Sequence, residues 1–220
     1  MHVVVNAAMS ADGKLSTVRR EQVAISGPED FARVDRLRAG SDAVVVGVGT
    51  VLADDPHLTV KDADLLEERI AAGKPAQPAR VVADSQLRTP TDARIVDDAA
   101  STYLLTTEAA GAERRAAYPE SVEFVTAGEE RVDLLRAFAA LAEAGIEDVM
   151  VEGGGELIFS LAESGLVDEL RTFVGPQLIG GRDAPTLADG EGFLTEFPSL
   201  SLEDVERLDG GVLLSWTVEQ

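Results

Sequence analysis

The sequence predicts an α/β protein: a largely parallel central sheet flanked by helices and finished by an antiparallel hairpin at the C-terminus. Three observations lead there. Short valine-rich apolar runs, at 43–48, 80–83 and 149–151, alternate with stretches of helical spacing, the rhythm of β/α units. Two of these runs break into glycine turns that each open a helix, Gly47-Val48-Gly49-Thr50 and Gly153-Gly154-Gly155. Past residue 170 the rhythm changes. Residues 200–208 and 212–218 read as strands with only Asp209-Gly210-Gly211 between them, a hairpin signal.

Taken in order, residues 3–8 form a first strand, ended by the polar turn Ser10-Ala11-Asp12-Gly13, with Lys14 and a polar loop to Ser26 after it. Gly27-Pro28-Glu29-Asp30 starts a helix, because proline suits the first turn and acids there face the positive end of the helix dipole. Phe31, Val34, Leu37 and Arg38 share one side of it, and Gly40 ends it. The 43–48 run is apolar throughout, so it is expected to be buried on both faces. The glycines after it let the main chain turn sharply and let a ligand come close. Thr50 is expected as a helix N-cap, where free N–H groups attract an anion, and Asp54-Asp55-Pro56 closes the segment with two carboxylates and a rigid turn.

Residues 62–72 have helical spacing, and Lys74-Pro75-Ala76-Gln77-Pro78 is a loop. The 80–83 strand runs into Asp84-Ser85-Gln86-Leu87-Arg88. Strands at 102–106 and 122–126 flank a helical stretch at 109–117, and 134–144 is an amphipathic helix stopped by Gly145. The 149–151 strand leads through Glu152 and the second glycine turn into a helix at 156–164, ended by Gly165; 170–174 is a further strand. A buried strand that ends in such a turn is how open α/β sheets build a ligand crevice.

Composition narrows the function classes. The 220 residues suit a single domain, 1–220, with 45% apolar residues and a proper core. No apolar run approaches the roughly 20 residues needed to span a bilayer, and Met1-His2-Val3-Val4-Val5 has no basic region followed by a long apolar one. With no cysteine, disulfides, a thiolate nucleophile and thiolate zinc ligands are excluded, and no metal site is expected; a cytoplasmic enzyme fits best. The net charge of −21 is spread along the chain and not gathered in a tail, and no basic stripe exists, so a nucleic-acid binder is disfavoured. Adaptation to a salty cytoplasm is the favoured account, since at about 1 M salt a Debye length of ~3 Å screens repulsion among surface carboxylates.

Each candidate site residue has a plain structural explanation beside the functional one. Neither glycine turn matches G-x-G-x-x-G or the P-loop, which disfavours a Rossmann enzyme or an ATPase; two such turns together suit a pyrophosphate-containing cofactor. Glu152 ends a buried strand, where an acid is costly unless paired. It reads either as a rim carboxylate capping the next helix or as a group that orders a polar ligand. Lys14, one of three lysines, is its natural counter-charge or a solvated loop residue. Arg38 complements a helix dipole or, with Lys61, binds a phosphate. Asp54 and Pro56 have plain readings too, as a short-helix residue and a turn former. His57 reads as a loop residue, since nothing near it in sequence completes a triad.

The resemblance goes further. Ser10-Ala11-Asp12-Gly13-Lys14, Leu37-Arg38-Ala39, the 42–56 segment with Leu58-Thr59-Val60, Arg80-Val81-Val82-Ala83-Asp84-Ser85, Val151-Glu152-Gly153-Gly154-Gly155 and Gly165-Leu166-Val167-Asp168-Glu169-Leu170 fall in order over nearly the whole chain. They resemble the riboflavin-biosynthesis reductases, both the reductase half of the bacterial bifunctional deaminase/reductase and the free-standing 2,5-diamino-6-ribosylamino-4(3H)-pyrimidinone 5′-phosphate reductases of archaea and fungi. The resemblance implies a dihydrofolate-reductase-like fold, a homodimer, NADPH as hydride donor and a phosphorylated pyrimidine as substrate. It assigns cofactor contacts to Ala8, Thr50, Asp54, Ser85 and the turn Gly153, Gly154, Gly155, Glu156. Arg38, Leu58 and Lys61 match substrate positions, and Lys14 and Glu152 match the pair placed about the substrate ribose. Ser85 and Arg88 are candidates to meet a 2′-phosphate. Ala24 stands where the family often has an aromatic residue, and the zinc-deaminase half has no counterpart, which points to the free-standing form. A pterin reductase on the same fold, or a nucleotide-binding protein without turnover, are the alternatives.

Overall fold

The computed structural model describes residues 1–21, 23–195 and 197–219. Its elements are β1 (His2–Ser10), α1 (Pro28–Gly40), β2 (Ala43–Gly47), α2 (Val48–Asp54), α3 (Ala63–Ala71), β3 (Ala79–Ala83), β4 (Thr102–Thr106), α4 (Ala112–Arg115), β5 (Val122–Thr126), α5 (Leu134–Glu143), β6 (Asp148–Gly153), α6 (Gly155–Glu163), β7 (Glu169–Gly175), β8 (Ser199–Leu208) and β9 (Gly211–Glu219), with a 3-10 turn at Arg94–Val96. By contact the chain forms two compact units, one of Met1 with 35–150 and one of 2–34 with 151–220. The boundary falls inside β6.

In the first unit the strand order is β5-β4-β3-β2-β6, and β2, β3, β4 and β5 pair in parallel. Ala43, Val44, Val45 and Val46 are fully buried, as expected of a strand covered on both faces. Burying each of those valines contributes about 1.5–3 kcal/mol. Val44, Val46, Val48, Val51, Leu58 and Val82 share one core cluster. Two buried arginines act as fasteners. Arg80 pairs with Asp97 at 2.7 Å and donates to Thr102 Oγ1 and the carbonyls of Arg94, Asp97 and Ala100. Arg69 on α3 donates to the carbonyls of Ala39 and Ser41 at 2.6 and 2.7 Å, satisfying the open end of α1.

In the second unit the end of β6 lies beside β1, and the order continues β1-β7-β9-β8. β1 and β7 are parallel; β7 with β9 and β8 with β9 are antiparallel, as the C-terminal hairpin predicts. The hairpin turn is Asp209-Gly210, with φ of 47° and 75°, the two positive values a type I′ turn requires. The Asp209 carboxylate accepts from the amides of Gly27, Glu29 and Asp30 at 3.1, 3.3 and 2.8 Å, while Glu29 accepts from the Asp209 amide at 3.2 Å. This is a capping box closed between residues 180 apart in sequence. Gly27 is needed there, because a Cβ would sit 2.6 Å from Asp209.

Three local expectations are corrected. Thr50 is not an N-cap: Gly47, extended at ψ 151°, is the cap, α2 starts at Val48, and Thr50 lies in its first turn. The helix expected over 109–117 shrinks to the four residues of α4, none of them a buried residue, so it gains little from packing beyond Arg115 lying over the Phe124 ring at 5.9 Å. On α1, Phe31 points outward at 59% exposure, and the buried positions are Asp30 and Asp35. Those acids earn their burial by bonding, Asp30 to Arg33 at 2.7 Å and Asp35 to main-chain amides.

Candidate active site

The turn after β1 is tied at every step. Ser10, fully buried, donates its hydroxyl to Asp12 at 2.6 Å and accepts from the Lys14 amide at 3.0 Å. Asp12 also accepts from the amides of Ile179 and Gly180 at 3.0 and 2.7 Å. These bonds, from Ser10 first and then from the two amides, stabilise the charged form and lower the Asp12 carboxyl to about 2. Lys14 therefore stands on a fixed turn. It bridges antiparallel to Thr186, and its ammonium donates to the Ala184 carbonyl at 3.1 Å. A half-buried lysine on a pinned main chain departs from the solvated-loop reading.

The same segment crosses the start of α6. The Asp189 amide donates to the Gly155 carbonyl at 3.0 Å, and a Cβ on Gly155 would lie 2.5 Å from the Thr186 carbonyl oxygen. The close approach that requires glycine at 155 is thus made by this chain itself. Gly154, at φ 92°, caps α6 without a side-chain bond, and Glu156 is exposed in the first turn. Glu152 lies inside β6, half-buried, three residues before Gly155. Lys14 and the 152–156 turn are accordingly joined through the 184–189 segment. Ala8, on β1, packs against Ile25, Phe173 and Leu213.

In the first unit the structure brings Arg38, Leu58 and Lys61 together. Arg38 donates to the Thr59 carbonyl at 2.9 Å. The buried Asp35 carboxylate accepts from the Lys61 amide at 3.0 and 2.8 Å, one to each oxygen, and from the Asp62 amide at 2.8 Å. Leu58 takes φ 53° and sends its side chain into the core, so its main chain is what it offers to a ligand. Lys61 keeps an exposed side chain on a fixed main chain. Asp54 ends α2; its residue is exposed overall, yet packing about the carboxyl strips enough water to raise its pKa. Among the described residues that carboxylate has no hydrogen-bond partner. His57 does find a carboxylate, Asp97, at 3.8 Å, which its sequence neighbours did not reveal.

Ser85 follows β3 by two residues. Its hydroxyl oxygen accepts from the Val132 amide at 3.1 Å, and its carbonyl accepts from the Thr107 hydroxyl at 2.8 Å. Sequence reasoning missed Asp35, whose partners are main-chain atoms more than twenty residues away. Its only sequence signal was an acid four residues from Phe31 and three from Arg38, on the same side of α1 as both.

Comparison with known proteins bears on the family and the fold. The model of the RibD C-terminal domain matches residues 1–214. The chain is 49% identical over 210 residues to the 2,5-diamino-6-ribosylamino-4(3H)-pyrimidinone 5′-phosphate reductase of Archaeoglobus fulgidus, covering 96% of this chain and 94% of that protein. It is 42% identical over 220 residues to the protein of the same name from Methanothermobacter thermautotrophicus, covering 99% and 98%. Among solved structures, RibD of Acinetobacter baumannii superimposes with a TM-score of 0.78 at 26% identity, covering 100% of this chain and 58% of that one.

Proposed function

The chain belongs to the RibD C-terminal domain family, and from that premise we propose that it reduces 2,5-diamino-6-ribosylamino-4(3H)-pyrimidinone 5′-phosphate to the ribitylamino product in riboflavin biosynthesis, with NADPH as donor. The observation that carries this reading is near-full-length identity to two reductases of that name. The local chemistry supports it. A partnerless carboxylate at Asp54, a serine hydroxyl at Ser85 with its proton left to donate, and an α6 N-terminus capped only by glycine suit the ribose, phosphate and pyrophosphate groups of a dinucleotide.

When bound, the reduced nicotinamide supplies hydride to C1′ of the ring-opened ribosylamine. The protein's own residues do the rest. Lys14 keeps N–H groups beyond the one used on Ala184, and these polarise or protonate the charge that develops as the ring opens. Glu152 orders ribose hydroxyls. Arg38 and Lys61 grip the 5′-phosphate, with Arg38 also fixing Thr59 two residues from Lys61. Positioning supplies much of the acceleration, so few acid–base groups are required. The test follows the near-ultraviolet absorbance of the reduced dinucleotide with NADPH and NADH against the diamino and deaminated pyrimidines. Consumption with the diamino compound is expected; none with either pyrimidine refutes the assignment.

The partner in solution is a second copy of the chain. β8 is a ten-residue edge strand with Leu200, Leu202 and Val205 exposed, and an apolar edge of that length is a liability unless covered. Sedimentation is expected to give a dimer that Leu202→Lys with Val205→Lys dissociates. A wild-type monomer at tens of micromolar concentration would exclude it.

A further inference from the structure

The first half of α1 meets β1 through charge, where apolar side chains would serve. Asp30 and Asn6 are buried, and the Arg33 side chain between them is 12% exposed. Arg33 Nε donates to Asp30 Oδ1 at 2.8 Å. Its Nη2 stands 2.7 Å from that same oxygen and donates to Asn6 Oδ1 at 2.7 Å. One nitrogen therefore fixes the ends of two side chains. The Asn6 amide has no choice of orientation, because a guanidinium only donates and must meet the oxygen, leaving the NH2 group turned away.

The cluster is incomplete in three places. Arg33 Nη1 is sealed from solvent and, among the described residues, has no acceptor. Asp30 Oδ2 and Asn6 Nδ2 also lack partners among the described residues, yet neither is sealed. A buried network left partly unbonded weakens a fold, and apolar residues of the same volume join a helix to a strand at least as well. An open acceptor and an open donor, tied to one guanidinium nitrogen, instead suit a ligand edge that carries a donor and an acceptor.

The place on the strand narrows that ligand. Side chains 6 and 8 share a face of β1, about 7 Å apart, and Ala8 is the position assigned above to the dinucleotide. The pyrimidine hangs from C1′ of the ribose through one nitrogen, so with C1′ against the nicotinamide the pyrimidine lies beside it. Its pyrimidinone edge presents a carbonyl, a ring N–H and, in the diamino compound, an exocyclic amine. Deamination turns that amine into a second carbonyl. An ionised carboxylate only accepts, so it attracts the amine and repels the carbonyl.

We propose that Asp30 and Asn6 read the pyrimidine edge, Asp30 taking the 2-amino group and Asn6 the ring carbonyl, so that the chain selects the diamino substrate over its deaminated form. Arg33 is a positioning residue for both. The inference rests on the reductase reading above and adds the side chains that choose the substrate. The nicotinamide carboxamide also carries a carbonyl and an amine, so the experiment must separate the two sources.

Affinity for NADPH is titrated without pyrimidine. Each pyrimidine is titrated in the presence of NADP+, where no hydride is passed, and kcat/KM is compared for the two. The wild type is expected to favour the diamino compound at least tenfold. In Asp30→Asn the guanidinium draws the amide oxygen to itself, so an NH2 group turns outward in place of Oδ2. The diamino compound should weaken roughly tenfold to a hundredfold, the worth of a hydrogen bond to a charged group, while the deaminated one tightens. Asn6→Ala should weaken both pyrimidines by a like factor, since they share the ring carbonyl, and leave NADPH affinity as it was. Arg33→Lys keeps the charge without the fork and should erode the preference between pyrimidines.

A wild type that takes both pyrimidines equally, or an Asp30→Asn protein that keeps the diamino preference, overturns the proposal. So does a loss of NADPH affinity in Asn6→Ala with both pyrimidines unaffected, which would assign the cluster to the carboxamide. Wild-type preference in Arg33→Lys removes the positioning role. Should Asp30→Asn fail to fold for want of a counter-charge to Arg33, the wild-type preference and Asn6→Ala still decide. Turnover without preference sinks this inference and leaves the reductase reading standing. Selective binding of the diamino compound without turnover does the reverse.

Discussion

Removing the Asp35 carboxylate tests whether the loop carrying Lys61 is held from α1. Asp35 is buried and takes the amides of Lys61 and Asp62, the former with both oxygens. A hydrogen bond to a charged group contributes about 1.5–3 kcal/mol. Two amides lose their acceptor in Asp35→Ala, but Lys61 and Asp62 are exposed residues whose amides regain some water, so the low end applies. The expected loss is about 3 kcal/mol, or about 6–12 °C in Tm at 2–4 °C per kcal/mol for a chain of this size. Asp35→Asn retains one acceptor oxygen and should lose about half as much. Calorimetry of both variants at fixed molar salt gives these shifts, and steady-state kinetics should show KM for the phosphorylated substrate rising more than kcat falls. An Asp35→Ala protein melting within about 2 °C of the wild type, or an asparagine variant less stable than the alanine one, would refute the clamp.

The other expectations are briefer. Lys14→Ala should lower kcat far more than it weakens NADPH binding, whereas Arg38→Ala should chiefly raise KM for the phosphorylated pyrimidine; wild-type kcat in the first variant would remove the catalytic role. Asp12 has a folded pKa of about 2, below its ordinary 3.8, so its contribution is fully present above pH 3.8 and is lost as pH falls through about 2. The Ile179 and Gly180 amide resonances should therefore titrate near that lower value; titration at 3.8 would mean the anchor is not made in solution. With a net charge of −21, Tm should fall as salt drops from molar to millimolar, and an unchanged Tm would reject adaptation to high salt.

What could be read in advance, and what could not, divides along a physical line. β2 was legible because a strand buried on both faces must be apolar at every position, which leaves a continuous valine run. The C-terminal hairpin was legible because two positive φ values in a row demand residues like Asp209 and Gly210. Thr50 misled because a threonine after two glycines looks like a cap, while Gly47 already had the extended geometry and let the helix begin sooner. Gly155 pointed to a close approach, but sequence has no way to say that the approaching atoms belong to Thr186 and Asp189. Asp35 and Arg69 escaped notice for a common reason. Both bond main-chain amides or carbonyls of distant segments. The site motifs at Lys14 and Arg38 were legible through likeness to relatives; the tethers that hold them, at Ala184 and Thr59, appear only in three dimensions.

The clasp between Asp209 and the start of α1 also sets a timetable for the growing polypeptide. Residues 35–150 are nearly continuous in sequence and hold their own core, so they are free to condense as they emerge from the ribosome. Residues 2–34 are not, because the group that caps their helix is among the last to be translated. At about 5–20 residues per second, that first segment waits roughly 10–35 s for its partner. Throughout that interval the first turn of α1 lacks its acceptor, although both sheet neighbours of β1 have been translated by residue 175.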